Sequence, residues 1–171
     1  IKPRFLHHEI GYNFRMTNLQ AAVGYAQLQS LDKFVDMRRA NAQLYNKLLK
    51  ESGLTEKGIT LPPELPWAKN VYWMYGILVN KELFGMDKDE LMKALGEKGI
   101  QTRSFFYPMH QQPMFKEQKY PNGLSERDLN ESYPVADQLA KQGLYLPSSS
   151  HLTPEQIKRV VDALSSLAKQ E

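Results

Sequence analysis

The chain has 171 residues, of which 42% are hydrophobic and 24% charged, with a formal net charge of +3 and no cysteine. This composition is typical of one soluble globular domain, and it excludes disulfides and thiolate metal sites. Basic residues are interleaved with acids, no apolar run approaches the roughly 20 residues of a bilayer span, and no secretory signal opens the chain, so a cytoplasmic protein without nucleic-acid or membrane partners is expected.

The first half of the chain predicts a loop, two helices and a strand. Residues 1–16 show no clear periodicity, and Thr17 or Asn18 is suited to cap a helix. Apolar residues recur behind this cap at helical spacing, namely Leu19, Ala22, Val23 and Ala26. A turn near residues 30–32 leads to a longer helix that ends at Gly53. A proline-rich loop then precedes a strand predicted over residues 71–79.

The second half predicts three more helices and two more strands. Asp87 and Glu90 form a capping-box pattern at the start of one helix. A strand is expected over residues 100–106, a helix over 132–142 with Pro134 in its first turn, and a short strand over 144–147. Thr153 begins the last helix. The order predicts an α+β fold in which a small, mostly antiparallel sheet is covered by helices, as one domain over residues 1–171.

Residues 7–18, 99–110 and 144–153 hold more functional chemistry than a hydrophobic core requires. In the first segment, Asn13 and Arg15 lie two residues apart beside Gly11. An amide donor and a guanidinium at this spacing can converge on one oxyanion. The spacing fits a surface loop with an ordinary salt bridge equally well, so both interpretations stay open.

In the second segment, Arg103 is followed closely by Phe106, Tyr107 and His110. These side chains could form an aromatic-walled slot with a cationic floor. From spacing alone, a strand edge that buries its aromatic side chains is the favoured interpretation.

Metal and hydrolase chemistry are both disfavoured. His7 and His8 are adjacent, and consecutive residues of an extended chain point in opposite directions, so one ion rarely binds both. No acidic or cysteine partner lies at ligand spacing, and no metal site is expected. The sequence has no Gly-x-Ser-x-Gly elbow and no glycine-rich phosphate loop, and Ser148–Ser150 are interpreted as turn residues.

Residues 11–24, Gly-Tyr-Asn-Phe-Arg-Met-Thr-Asn-Leu-Gln-Ala-Ala-Val-Gly, resemble a segment of the DegT/DnrJ/EryC1/StrS family of sugar aminotransferases. Residues 144–147 and 152–157 resemble the C-terminal signature of that family. Residues 99–110 most resemble its perosamine synthase branch, which aminates a GDP-4-keto-6-deoxymannose. The resemblance runs nearly from end to end of the chain.

This resemblance implies the type I aminotransferase fold, in which a large N-terminal domain binds pyridoxal 5'-phosphate and a small C-terminal domain completes the site. It also implies a homodimer with active sites at the interface. Asn13 matches an asparagine that reaches across the dimer to the cofactor phosphate, and Arg15 lies beside it. Tyr12 belongs to the same loop and is assigned to the substrate. The region implied to meet the nucleotide-sugar contains Arg103, Phe106, Tyr107 and His110.

The lysine that carries the cofactor in this family would lie upstream of Ile1, as would the N-terminal cofactor domain. The chain is therefore expected to be the C-terminal portion, inactive alone, of an enzyme that uses glutamate as amino donor. Its unpaired apolar face is expected to cause self-association. Two alternatives are a non-catalytic module for nucleotide-sugar binding or assembly, and a 3-keto-sugar aminotransferase of the same family.

Overall fold

In the computed structural model, which describes residues 5–117 and 131–169, an exposed loop leads into two helices. Helix α1 spans Asn18–Leu28 and helix α2 spans Leu31–Glu51. The Thr17 hydroxyl accepts a hydrogen bond from the Gln20 amide, and the Gln20 side chain accepts one from the Thr17 amide. This reciprocal capping box confirms Thr17 as the N-cap.

Four short strands form one sheet with the order β1-β2-β4-β3, in which every neighbouring pair is antiparallel. The strands are β1 (Ile59–Thr60), β2 (Tyr75–Val79), β3 (Arg103–Ser104) and β4 (Gly143–Leu146). In the register, Tyr75 pairs with Leu146 and Arg103 pairs with Tyr145. The predicted α+β fold with a small antiparallel sheet is confirmed.

Five further α-helices are described: α3 (Lys81–Phe84), α4 (Lys88–Glu97), α5 (Pro113–Glu117), α6 (Pro134–Gln142) and α7 (Pro154–Leu167). The capping boxes at Asp87 and Thr153 both form as predicted. Pro134 occupies the first position of α6, where its missing N–H removes no helical hydrogen bond.

The hydrophobic core lies between one face of the sheet and the helices α2, α4 and α7. Tyr45 of α2 stacks on Tyr75 of β2 with 4.6 Å between ring centroids. Helix α7 buries one stripe, formed by Ile157, Val160, Val161 and Leu164. This i, i+3, i+4, i+7 spacing is the pattern from which the sequence predicted the helix.

The opposite face of the sheet is closed by the Phe105 ring. This ring stacks on Tyr145 at 4.5 Å and lies directly over Gly76 and Gly143. A Cβ atom at Gly143 would lie 2.3 Å from the Phe105 Cδ2 atom. The glycines therefore allow the ring to approach the strands, which a larger residue would prevent.

Two strand predictions are wrong in extent, and one strand was missed. The strand predicted over residues 71–79 begins only at Tyr75, because Tyr72 has a φ of 47°, which is incompatible with an extended strand. The strand predicted over residues 100–106 is reduced to Arg103–Ser104, since this edge strand pairs with β4 alone. The missed strand β1 has only two residues, too few for a period-2 pattern.

Helix α1 has no buried residue. Its apolar side chains are exposed, with Leu19 at 77% and Val23 at 59% of their full accessibility. A helix of 11 residues is marginal in water by itself, and its stability normally comes from packing of an apolar face. The helical spacing of its apolar residues correctly predicted the helix, but none of the described residues packs on it closely enough to bury a side chain.

Candidate functional site

The loop before α1 presents Tyr12, Asn13 and Arg15 to solvent. The Tyr12 side chain is 82% exposed. Asn13 and Arg15 make no hydrogen bond or ion pair with any residue in the described ranges. The ordinary salt bridge allowed by their spacing is therefore not formed within this part of the chain, and both donor groups remain available.

Gln112 fixes the base of this loop. Its side chain is buried, at 4% exposure, and no other polar or charged residue is buried in the described parts of the chain. Its Oε1 atom accepts a hydrogen bond from the His7 amide at 2.9 Å, and its Nε2 atom donates to the Phe5 carbonyl at 2.9 Å. The Met114 amide donates to the His7 carbonyl at 3.0 Å. Residues 5–7 are thereby attached to the segment that follows β3.

Replacement of Gln112 by methionine is expected to release this attachment. Methionine has similar length but cannot replace the two hydrogen bonds, which are partly buried, so their loss is expected to cost about 1 kcal/mol. Hydrogen exchange should therefore accelerate at the His7 and Met114 amides. The exposed Gln138, replaced in the same way, is the control. Unchanged protection of His7 in the Gln112→Met variant would show that this contact does not hold the loop.

The aromatic residues that follow Arg103 take up different surroundings. Phe106 packs edge-on against Phe5, with 4.6 Å between centroids, and also approaches Tyr145. Phe106 and Tyr107 remain partly exposed, at 42% and 37%. Phe105 is partly buried and packs on the sheet through Tyr145, whereas Phe106 and Tyr107 are more exposed.

His110 is held by Asp137, a residue outside the predicted site. Its Nε2 atom lies 2.8 Å from the Asp137 Oδ1 atom, and Gln111 donates to the same oxygen at 2.5 Å. The imidazole also lies against Tyr133, at 4.8 Å between centroids. A carboxylate at Nε2 favours the tautomer protonated there and fixes the ring orientation. Asp137 is 27 residues away in sequence, so no local pattern links the two.

Arg103 is among the residues that line an open cleft. The cleft also contains Arg38 and Arg159, and it is named here the arginine cleft after these three residues. Phe106, Tyr107 and His110 do not line it. Of the four residues predicted to meet the nucleotide-sugar, Arg103 is the one that lines this cleft.

Two further properties bear on the kind of site. Over residues 5–117 and 131–169, no cluster of three or more His, Cys, Asp or Glu residues could hold a metal ion. His7 and His8 contribute to no such cluster. No helix in the same ranges combines the length and the apolarity that crossing a bilayer requires.

Residues 1–165 match the sequence profile of the DegT/DnrJ/EryC1/StrS aminotransferase family. The GDP-perosamine synthase of Escherichia coli O157:H7 is 33% identical over 96% of this chain and 40% of its own length. The corresponding synthase of Vibrio cholerae is 32% identical over 95% of this chain and 40% of its own length. The chain thus spans about 40% of the curated relatives that it matches.

The fold is similar to that of solved aminotransferases. The structure of S. venezuelae DesV superimposes with a TM-score of 0.72 and 29% identity, covering 100% of this chain and 42% of DesV. The structure of DesI, solved in the presence of its TDP-sugar product, gives a TM-score of 0.73 at 22% identity, over 88% of this chain and 35% of DesI. The fold comparison agrees with the match to the family profile.

Proposed function

Because the chain belongs to the DegT/DnrJ/EryC1/StrS aminotransferase family, we propose that it forms part of an enzyme that aminates a 4-keto nucleotide-sugar. GDP-4-keto-6-deoxymannose is the proposed substrate, and glutamate is the proposed amino donor. The assignment of the sugar is supported by the GDP-perosamine synthases, which are 33% and 32% identical over nearly the whole chain. The observation that carries the proposal is the exposed loop with two uncommitted donors, Asn13 and Arg15.

The cofactor of the proposed enzyme is pyridoxal 5'-phosphate, which when bound supplies an electron sink for amino transfer. An amide and a guanidinium are suitable hydrogen-bond donors to its phosphate group, and the positive charge of Arg15 complements the negative charge of that group. Both side chains lie on the exposed loop and have no partner among the described residues. They can therefore hold a phosphate that lies outside this chain, in the site of a neighbouring subunit.

The lysine that binds the cofactor is proposed to lie outside these 171 residues. Such a lysine needs a pKa depressed by burial or by a cationic neighbour. Most lysines among the described residues are exposed, including Lys33, Lys47, Lys50, Lys93, Lys98 and Lys158. Lys57 is partly exposed, and its ammonium donates to the Lys169 carbonyl at 3.3 Å. Lys88 is less exposed, but its ammonium donates to the Ala140 carbonyl at 2.9 Å and so stabilises α6. These residues give no candidate for the cofactor lysine.

Residues on the surface around β3 are proposed to orient the nucleotide-sugar. His110 has the best defined geometry, because Asp137 fixes its ring. Phe106 and Tyr107 offer partly exposed rings, and Arg103 offers a cation at the edge of the sheet. Tyr12 would approach the substrate from the loop of the neighbouring subunit.

Self-association is proposed to cover α1. This helix has apolar residues on most of its circumference and carries no charged residue. Helices that are apolar all round are normally buried. A homodimer that buried α1 would also bring the Asn13 loop onto the partner, which is the arrangement that the proposed phosphate contact requires.

Two measurements test the proposal. A longer protein that includes this chain is expected to convert GDP-4-keto-6-deoxymannose to the amino sugar with glutamate and pyridoxal phosphate. The 171-residue chain treated with cofactor and borohydride is expected to show no specifically labelled lysine by mass spectrometry. A single stoichiometric label would place the cofactor lysine within this chain, and saturable binding of the sugar without amination would favour the non-catalytic module.

A further inference from the structure

The arginine cleft is an opening of about 480 Å³ where the start of β2 and the end of β4 meet α2 and α7. Three guanidinium groups line it, those of Arg38, Arg103 and Arg159. No aspartate or glutamate is among its lining residues in the described parts of the chain. A concave surface with one sign of charge concentrates counter-ions of the opposite sign.

Arg38 is held rigidly at the wall of this cleft. Its Nη1 atom donates to the Trp73 carbonyl at 2.6 Å and to the Ser148 carbonyl at 3.0 Å. Its remaining N–H groups make no hydrogen bond to the described residues. Because two loops already fix the guanidinium, a ligand that binds there has little side-chain entropy to remove.

Arg159 and Arg103 complete the cationic lining. Arg159 donates from Nη2 to the Lys98 carbonyl at 2.9 Å, and Arg103 has no side-chain hydrogen bond within the described residues. Neither these two nor Arg38 forms an ion pair there. The adjacent Arg39 differs, since its hydrogen bond and ion pair with Glu64 lower the pKa of that carboxyl group.

The other lining groups suit a phosphorylated ligand. Hydroxyl groups of Thr102, Ser148 and Ser149 and the amides of Gln101 and Gln156 provide neutral donors. Trp73 also lines the cleft and is 60% exposed, while Ile100 and Val160 add buried apolar side chains to the lining. Arginine forks and hydroxyl donors match phosphate oxygens, and the tryptophan adds a surface for a flat or apolar group.

We propose that the arginine cleft is a binding site for a small ligand carrying phosphate groups. The site would bind the ligand through Arg38, Arg103 and Arg159. Neither Asn13 nor His110 is among its lining residues. The cleft shares Arg103 with the residues proposed to orient the nucleotide-sugar and rests on the proposed function in that respect, but binding of pyrophosphate is measured without amino transfer, so the two can fail separately. Free pyrophosphate and the diphosphate of a nucleotide share the chemistry that this cleft recognises.

The test titrates the 171-residue chain with inorganic pyrophosphate and, separately, with GDP, and follows the indole N–H signals of the two tryptophans by NMR. Trp73 lines the cleft and should shift, whereas Trp67, which is 82% exposed and outside it, should not. The Arg103→Gln and Arg159→Gln variants are each expected to weaken binding about tenfold, as expected when one charge-assisted contact is lost. Added salt should weaken binding further.

Lys47→Gln on the exposed face of α2 removes the same charge outside the cleft and serves as the control. Circular dichroism checks folding, and Arg103 is the safest variant because its side chain has no hydrogen bond to lose within the described residues. A response of Trp73 to GDP at much lower concentration than to pyrophosphate would identify a nucleotide as the ligand. Binding lost equally in Lys47→Gln, or no shift of Trp73 with either probe, would overturn the proposal.

Discussion

Replacement of Gly143 by alanine is expected to destabilise the chain by about 3 kcal/mol, the upper part of the usual range for overpacked cores. A Cβ atom there would lie 2.4 Å from the Phe105 Cγ atom and 2.5 Å from the Leu139 carbonyl oxygen. Neither neighbour can yield easily, since the ring stacks on Tyr145 and the carbonyl belongs to the last turn of α6. The change in unfolding free energy is measured by urea denaturation.

The matched control for this prediction is Gly96→Ala. Gly96 lies in α4 and is exposed, and a Cβ atom added to it would have no neighbour within 4 Å in the described parts of the chain. Alanine at a helical position of this kind should stabilise by roughly 0.5–1 kcal/mol, because glycine loses more backbone entropy on folding. Equal effects of the two substitutions would mean that the Phe105 ring does not pack closely on β4.

Removal of the loop donors is expected to have the largest functional effect. In a longer protein that binds pyridoxal phosphate, Asn13→Ala and Arg15→Ala should each weaken cofactor binding roughly ten- to a hundredfold, as expected for charge-assisted hydrogen bonds to phosphate. Dissociation constants are obtained from the visible absorbance of the bound cofactor. Neither change should affect folding, because both residues are exposed and make no hydrogen bond to the described residues.

Pyridoxal without its phosphate group distinguishes a phosphate contact from a general loss of the site. Its affinity should be the same in the parent protein and in both variants. Lys33→Ala, an exposed change near the start of α2, should leave the affinity for both ligands unchanged. If the affinities for pyridoxal and for pyridoxal phosphate fell by the same factor, Asn13 and Arg15 would not act through the phosphate group.

The helix starts were predictable because their causes are local. The side chains of Thr17, Asp87 and Thr153 each accept a hydrogen bond from the backbone amide three residues later. The side chain of that later residue in turn accepts a hydrogen bond from the backbone amide of the cap residue. Such a box is complete within four residues, so it can be recognised without tertiary contacts. The buried stripe of α7 was predictable for a related reason. Apolar residues that recur at helical spacing lie on one face of the helix, and that face is the one that is buried.

The positions of the strands were less predictable, since they depend on partners. Residues 71–74 have strand-like composition. Because Tyr72 has a left-handed backbone conformation, β2 begins only at Tyr75. The length of β3 depends on how much of it β4 can pair, which the sequence of β3 does not contain. Aromatic and branched residues favour pleated, half-buried surfaces wherever those occur, so composition alone cannot set the strand ends.

The sequence by itself determined the helix caps, the buried stripe of α7, the class of the fold and the motif that carries Asn13 and Arg15. Only the tertiary structure decided that Gln112 holds residues 5–7, that Asp137 holds His110, and that Arg38 and Arg159 meet Arg103 at one cleft. The hydrogen bonds of Gln112 and His110 join residues up to 107 positions apart in the chain. A hydrogen bond between distant side chains exists only after the backbone has brought them together, and no local period or spacing encodes that approach.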